Sequence, residues 1–282
     1  MRQYLSLVKF SHTIFALPFA FIGFFLAVKL HGYPFSLEKL GLILVCMVTG
    51  RNAAMAFNRW ADRNIDAANP RTAIREIPAG ILSANGVLLF AGFNIAVFVL
   101  AAGLLNTLCL ALSPVALLVI LGYSYTKRFT SWCHFVLGLG LAIVPTAAYI
   151  AVTGVFHPVP LFFSAAVLTW VSGFDIIYAL QDEDFDKSQG LFSIPSVLGA
   201  GRALRLSTFL HFLTAGLLAA AGFTAGLGAW YAIGAIVFAG LLIYQHSLVK
   251  PDDLSRVNLA FFTTNGIASV VFMLFVLADL YL

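Results

Sequence analysis

The chain has 282 residues, of which 61% are hydrophobic and 10% charged, with 27 phenylalanines and a formal charge of +4. A soluble globular domain of that composition would not stay in solution, so the sequence is that of an integral membrane protein. Cys46, Cys109 and Cys133 show no paired spacing, which argues against a zinc site or a disulfide framework.

A bilayer core takes about 20 mostly apolar residues per helical crossing. Apolar runs at about 12–30, 38–58, 84–103, 105–123, 133–154, 159–180, 203–222, 227–247 and 258–280 therefore predict an all-α bundle of nine transmembrane helices forming one domain over 1–282. The first run is too long for a cleavable signal peptide and has no small-residue cleavage pattern. His12, at its start, is expected to sit at the membrane interface. The third and fourth runs are divided only by a short turn near Gly103. Alternating sides from the N-terminus places 14 of the 16 basic residues on one side, with only Lys29 and Lys39 on the other. Because short cytoplasmic loops collect Lys and Arg, this predicts a cytoplasmic N-terminus and an outer C-terminus. The positive charge is mostly topology, with no nucleic-acid message.

The second run ends in "NRWADRNIDAANPRTAIREIP" (58–78), and the sixth ends in "QDEDFDKSQG" (181–190). Seven of the 12 acidic residues fall in these two segments. Asp62 and Asp66 are followed at the same 120-residue offset by Asp182 and Asp186, a weak internal duplication. Residues four apart share a helix face about 6 Å apart along the axis, so Asn58, Asp62 and Asp66 line one stripe that reaches back to Arg51. The same arithmetic aligns Asp175, Asp182 and Asp186. Ionisable groups at that depth face a bundle interior or a wet cavity, and Arg51 and Asp175 have a structural ion pair as their alternative reading. Taken singly, each acidic segment is an ordinary solvated loop; matched and continued inward, they predict a shared site.

Facing carboxylates repel, so a cation is expected between them. Oxygen donors from Asn58, Asp62, Asp66, Asp182 and Asp186, without His or Cys, suit Mg²⁺, which shares its remaining positions with substrate phosphates. Arg51, Arg59, Arg71, Arg75, Lys127 and Arg128 are then expected partners of a diphosphate.

The two acidic motifs closely resemble those of the UbiA superfamily of intramembrane prenyltransferases, N-x-x-x-D-x-x-x-D and D-x-x-x-D, and the resemblance covers essentially the whole chain. "SYTKRFT" (124–130) is similar to the basic loop after the fourth helix. "HTIFALPFA" and "HSLVKPDDLSRVNLAFFTTNG" resemble a bacterial branch of 4-hydroxybenzoate polyprenyltransferase-like proteins that includes the MqnP enzymes of the futalosine route to menaquinone. Arg59 stands where many members carry Asp, so no metal role is carried to it.

The resemblance implies an enzyme of the inner membrane with its chamber open to the cytoplasm and a lateral gap toward lipid. A polyprenyl diphosphate is bound through Mg²⁺ by Asn58, Asp62, Asp66, Asp182 and Asp186; it ionises, and its allylic cation alkylates an aromatic acid, 4-hydroxybenzoate or a hydroxynaphthoate. Tyr123, Tyr125, Tyr149 and Tyr178 are the candidate cation-stabilising faces. The expected partners are both substrates and the lipid bilayer, with no nucleic acid and no obligate protein partner. A transporter or channel using the acidic stripes is the alternative of another class, and prenylation of haem or chlorophyll the alternative within this one.

Overall fold

The computed structural model describes residues 2–8 and 15–282; His12 and Lys9 lie outside the described residues. Among those residues the chain is helical, without strands. In order come α1 (Arg2–Leu7), α2 (Leu17–Phe25, continued by a π-helical turn Leu26–Leu30), α3 (Leu37–Ala61), α4 (Arg63–Ala68), α5 (Ala84–Leu105), α6 (Thr107–Thr126) and α7 (Cys133–Thr153). There follow α8 (Pro158–Ala179), α9 (Glu183–Ser188), α10 (Ile194–Leu198), α11 (Ala200–Ala225), α12 (Ala229–Ser247) and α13 (Asn265–Tyr281), the last preceded by a π-helical stretch, Leu259–Thr264.

Among the described residues, eight helical segments are long and apolar enough to cross a membrane. The expected first crossing is described only over Leu17–Leu30, a shorter apolar helix. Side-chain caps fix several helix starts by accepting backbone N–H groups that have no partner within the helix. Ser36 accepts from the Lys39 amide at 3.2 Å, and Ser83 from the Gly86 amide at 3.1 Å. Gly154 and Gly226 end α7 and α11 with φ of 73° and 65°, a left-handed conformation that disfavours a side chain.

The turn expected near Gly103 falls instead at Asn106, whose φ of −172° interrupts the helix. The physical reason is its side chain. The Asn106 amide donates to the Ile150 carbonyl at 2.9 Å, while its oxygen accepts from the Cys109 amide at 2.9 Å, tying the α5–α6 corner to α7.

In the interior, α8 packs between α7 and α11, α2 lies against α7, and α3 lies against α5. The centre is aromatic: Trp170 is fully buried and meets Phe174 edge-on at 5.2 Å and Phe238 at 5.4 Å, while its indole N–H donates to Asn265 at 2.9 Å. The π-helical stretch widens the backbone spiral before α13, and the Ala260 carbonyl there accepts from Gln245 at 2.9 Å. The outer surface carries bare apolar side chains such as Phe223, Phe212 and Leu89, as a lipid-facing surface does.

Gly23 marks the tightest crossing, since a Cβ there would stand 2.1 Å from the Pro145 carbonyl oxygen. Gly23→Ala should cost about 1–3 kcal/mol by overpacking and lower the unfolding temperature measured in detergent. Gly41→Ala is the control: nothing lies within 4 Å of its added methyl, and stability should hold or rise slightly.

Candidate active site

Both acidic motifs break their helices at the first aspartate. Asp62 (φ −92°, ψ 7°) separates α3 from α4, and Asp182 (φ −108°, ψ 7°) separates a 3₁₀ turn from α9. This sparsely occupied region of backbone space recurs at functional residues. The expected straight stripe of Asn58, Asp62 and Asp66 is thus corrected to a kinked one. Register survives the kink, because the Asp62 amide still donates to the Asn58 carbonyl (2.9 Å) and the Asp66 amide to the Asp62 carbonyl (2.7 Å).

Four carboxylates converge, and each meets its own base. Asp62 is 3.1 Å from Arg128 and accepts from Asn58 at 2.9 Å. Asp66 is 2.6 Å from Arg75. Asp182 receives Arg71 through two nitrogens, at 2.5 and 2.9 Å, and also the Asn69 amide at 3.1 Å. Asp186, with no exposed surface, is 2.6 Å from Lys127. The second motif is therefore bound to the segment after the first motif through Arg71, and to the loop after α6 through Lys127. Asp62, Asp66, Arg71, Arg75, Lys127, Arg128 and Asp182 line one polar pocket of about 110 Å³.

Burial pushes the Asp62 carboxyl up from its ordinary range, against the Arg128 hydrogen bond that lowers it. Burial works to lower Arg71, but its bonds to Asp182 more than reverse this and keep the guanidinium charged. Tyr178 stacks on Phe261 at 4.1 Å, and its hydroxyl accepts from Arg71 at 3.3 Å.

The donor set around the pocket is carboxylate and amide oxygen, suited to a hard cation. Among the described residues, Oδ2 of Asp66 is buried without a hydrogen-bond partner, as is Oδ2 of Asp186, which is an opening for such an ion. No group of three or more His, Cys, Asp or Glu side chains is gathered for a metal among the described residues. Each carboxylate is turned instead to a basic partner.

Other sequence-predicted residues lie elsewhere. Arg51, expected at the diphosphate, lines a separate and mostly apolar cavity of about 510 Å³ together with Tyr123; its guanidinium donates to the Val8 carbonyl at 3.4 Å. It lies about two helical turns inward from Asn58, too deep for the carboxylates. Asp175 gives its carboxylate to His134 at 2.7 Å, not to Arg51. Tyr149 is buried against His31 and His157, and Tyr125 carries the Arg128 guanidinium 4.9 Å from its ring centre on an exposed face. Neither lines the polar pocket or the apolar cavity.

Sequence reasoning missed Asn69, Thr72 and His134. Asn69 accepts from the Arg71 amide at 2.9 Å, a turn that presents Arg71 to Asp182, and Thr72 donates to the Asp66 carbonyl at 3.1 Å. The Asn-Pro pair at 69–70 is the sequence signal for that turn. Arg59 is 6% exposed, and its Nε has no hydrogen-bond partner among the described residues.

A polar, charge-paired pocket and an apolar cavity inside one membrane bundle suit an enzyme that handles an oily substrate with a charged head: a membrane prenyltransferase. The chain belongs to the UbiA prenyltransferase family, whose family profile matches residues 16–267. It is 34% identical over 240 residues to the 4-hydroxybenzoate octaprenyltransferase of Nitrosomonas eutropha, covering 82% of each chain. To the enzyme of that name from Aeromonas salmonicida it is 34% identical over 243 residues, covering 86% of this chain and 83% of that one. Among solved structures it is similar to the apo form of a UbiA homolog from Aeropyrum pernix K1, with TM-score 0.85 and 34% identity over 95% of this chain and 98% of that one. A UbiA homolog from Archaeoglobus fulgidus shares the fold, with TM-score 0.77 at 21% identity over 99% of this chain and 100% of that one.

The fully buried Asp186 makes the Lys127 pair a test of the site's electrostatics. Lys127→Met should destabilise the protein by about 3 kcal/mol, because it strands a buried carboxylate. Adding Asp186→Asn should restore most of that loss. Thermal unfolding of both variants in detergent checks the pair.

Proposed function

We propose that the protein transfers a polyprenyl group from polyprenyl diphosphate to an aromatic acid, 4-hydroxybenzoate or a hydroxynaphthoate, in ubiquinone or menaquinone biosynthesis. The observation that carries this is a pair of spaces in one membrane bundle: a polar pocket ringed by Asp62, Asp66, Asp182 and four basic side chains, and a 510 Å³ apolar cavity whose wall carries Arg51. The 4-hydroxybenzoate octaprenyltransferase names of the Nitrosomonas and Aeromonas relatives support the acceptor class.

The Archaeoglobus homolog is described as bound to GPP and Mg²⁺. In this chain Asn58, Asp62, Asp66, Asp182 and Asp186 would hold Mg²⁺. Bound there, the ion supplies neutralisation of charge on the departing diphosphate.

The chain's own residues do the rest. Arg71, Arg75, Lys127 and Arg128 are already within reach of the pocket and can exchange a carboxylate for a phosphate oxygen. Tyr178 and Tyr123 offer aromatic faces to the allylic cation. Arg51, a charged group in an apolar wall, matches an acceptor carboxylate better than a diphosphate lying outside its cavity. The apolar cavity takes the prenyl tail, favoured by roughly 0.8 kcal/mol per buried methylene-sized unit, and keeps water from the cation.

The same reading makes residues 1–282 one domain of nine crossings in a bacterial inner membrane, with the N-terminus and the polar pocket on the cytoplasmic side. Single cysteines placed at Ala73 and Gln189, in a background without the native ones, should label from the cytoplasm, and one at Phe156 from the far side. Same-side labelling of all three contradicts this arrangement. A transporter is disfavoured because the charges gather at one end of the bundle, whereas transporter sites lie near the midplane.

The activity test is purified protein with a polyprenyl diphosphate, 4-hydroxybenzoate and Mg²⁺, product being read by mass spectrometry. The wild type should form the prenylated acid, and EDTA should abolish it. Asp62→Ala and Asp182→Ala should lose activity while remaining folded. Arg75→Lys should impair turnover more than Arg205→Lys, because an ammonium does not replace a planar fork.

A further inference from the structure

Alkylating an aromatic ring leaves a proton to be removed, and the four paired aspartates are already engaged. Asp62, Asp66, Asp182 and Asp186 each lie against an Arg or Lys and are the side chains that would hold Mg²⁺. Asp175 differs. Its partner is an imidazole, His134 Nδ1 at 2.7 Å from Oδ2.

The proton on that imidazole is placed by its other nitrogen. His134 Nε2 faces the Ile194 amide N–H at 3.2 Å, which leaves Nδ1 as the nitrogen that donates to Asp175. The Ser172 hydroxyl donates to the His134 carbonyl at 3.2 Å and helps hold that residue against α8. Asp175 is thereby held in a fixed orientation. Its Oδ1 accepts no hydrogen bond among the described residues.

Position along α8 shows where that oxygen can act. Residues 169–174 and 176–177 are buried, while the Asp175 side chain keeps 21% of its surface. Seven residues before it, Leu168 lines the apolar cavity; seven after it, Asp182 lines the polar pocket. A spacing of seven returns to the same helix face about 10 Å further along the axis. Asp175 thus lies at a level between the two spaces, while lining neither. With the diphosphate in one space and the prenyl tail in the other, the carbon joining them falls at that level.

We propose that Asp175 is the general base of the transfer and that His134 is its positioning residue, an inference that rests on the transferase reading above. A ring π pair forms the new bond to prenyl C1, and the C1–O bond breaks with its pair leaving on the diphosphate. The ring carbon then bears both hydrogen and prenyl. Asp175 Oδ1 takes the proton, the C–H pair restores aromaticity, and water reached through the polar pocket removes the proton from the carboxylic acid before the next turnover.

The test uses purified full-length protein, geranyl diphosphate, Mg²⁺ and 4-hydroxybenzoate, either unlabelled or deuterated at both positions beside the hydroxyl. Asp175→Asn should slow turnover by about 100-fold or more, the range of a lost general base. A primary deuterium isotope effect absent from the wild type should appear, with KM for geranyl diphosphate nearly unchanged. His134→Leu should show a smaller loss with the same isotope effect. His134→Asn, whose amide can still donate to Asp175, should recover part of the rate. If Asp175→Asn does not accumulate, the two His134 variants carry the same readout.

Wild-type turnover in Asp175→Asn overturns the proposal, as does a slow variant with no isotope effect and a raised KM for 4-hydroxybenzoate. A wild-type protein that forms no product overturns the transferase reading, and this proposal with it. An active wild type without the isotope effect in the variants overturns this proposal alone.

Discussion

A carboxylate withdrawn from water has to be matched by a cation, and four such matches organise one end of this bundle. Asp182 with Arg71 binds the two acidic motifs together, and Asp186 with Lys127 anchors the loop after α6. Without their bases these carboxylates would repel one another at close range and at partial burial, where Coulomb energies reach several kcal/mol. The ion pairs assemble a pocket with charges of both signs. Such a pocket can receive a magnesium diphosphate without a net change of charge in its walls, because carboxylates and guanidinium groups both find new partners.

The apolar cavity meets a different constraint. An isoprenoid tail gains nothing from leaving the bilayer for water, so its reaction has to take place where the tail already resides. The small residues that line much of the cavity, among them Ala116, Gly140, Ala147 and Ala165, leave space between α6, α7 and α8 where larger side chains would fill it. Among the described residues Arg51, on α3, is the charged side chain in its wall, and it donates to the Val8 carbonyl. Asp175, on α8, lies at a level between this cavity and the polar pocket and is held by the His134 ring.

The acidic motifs were legible in the sequence because a four-residue spacing is local: the helix period alone puts Asp62 near Asp66 and Asp182 near Asp186. The breaks at Asp62 and Asp182 were not, since backbone dihedrals at a helix junction depend on the tertiary bonds that follow. Pairings across helices escaped for the same reason. Arg71 reaches Asp182 across 111 positions and His134 reaches Asp175 across 41, and no period connects them. Arg51 shows the converse. Its depth on α3 was correct, but the helix face alone did not reveal that the diphosphate-sized pocket stops short of it. The Asn106 corner is similar: glycine at 103 was the louder local signal, and a hydrogen bond from Asn106 to α7 decided the break.

The central claim is that the four ion pairs are a resting arrangement that exchanges partners when substrate enters. An experimental structure with Mg²⁺ and a prenyl thiodiphosphate that resists ionisation tests this directly. The account predicts Arg71 and Arg75 released from Asp182 and Asp66 and bonded to phosphate oxygens, with the freed carboxylates on the metal. A complex in which the diphosphate lies outside this pocket, with all four pairs intact, would contradict it.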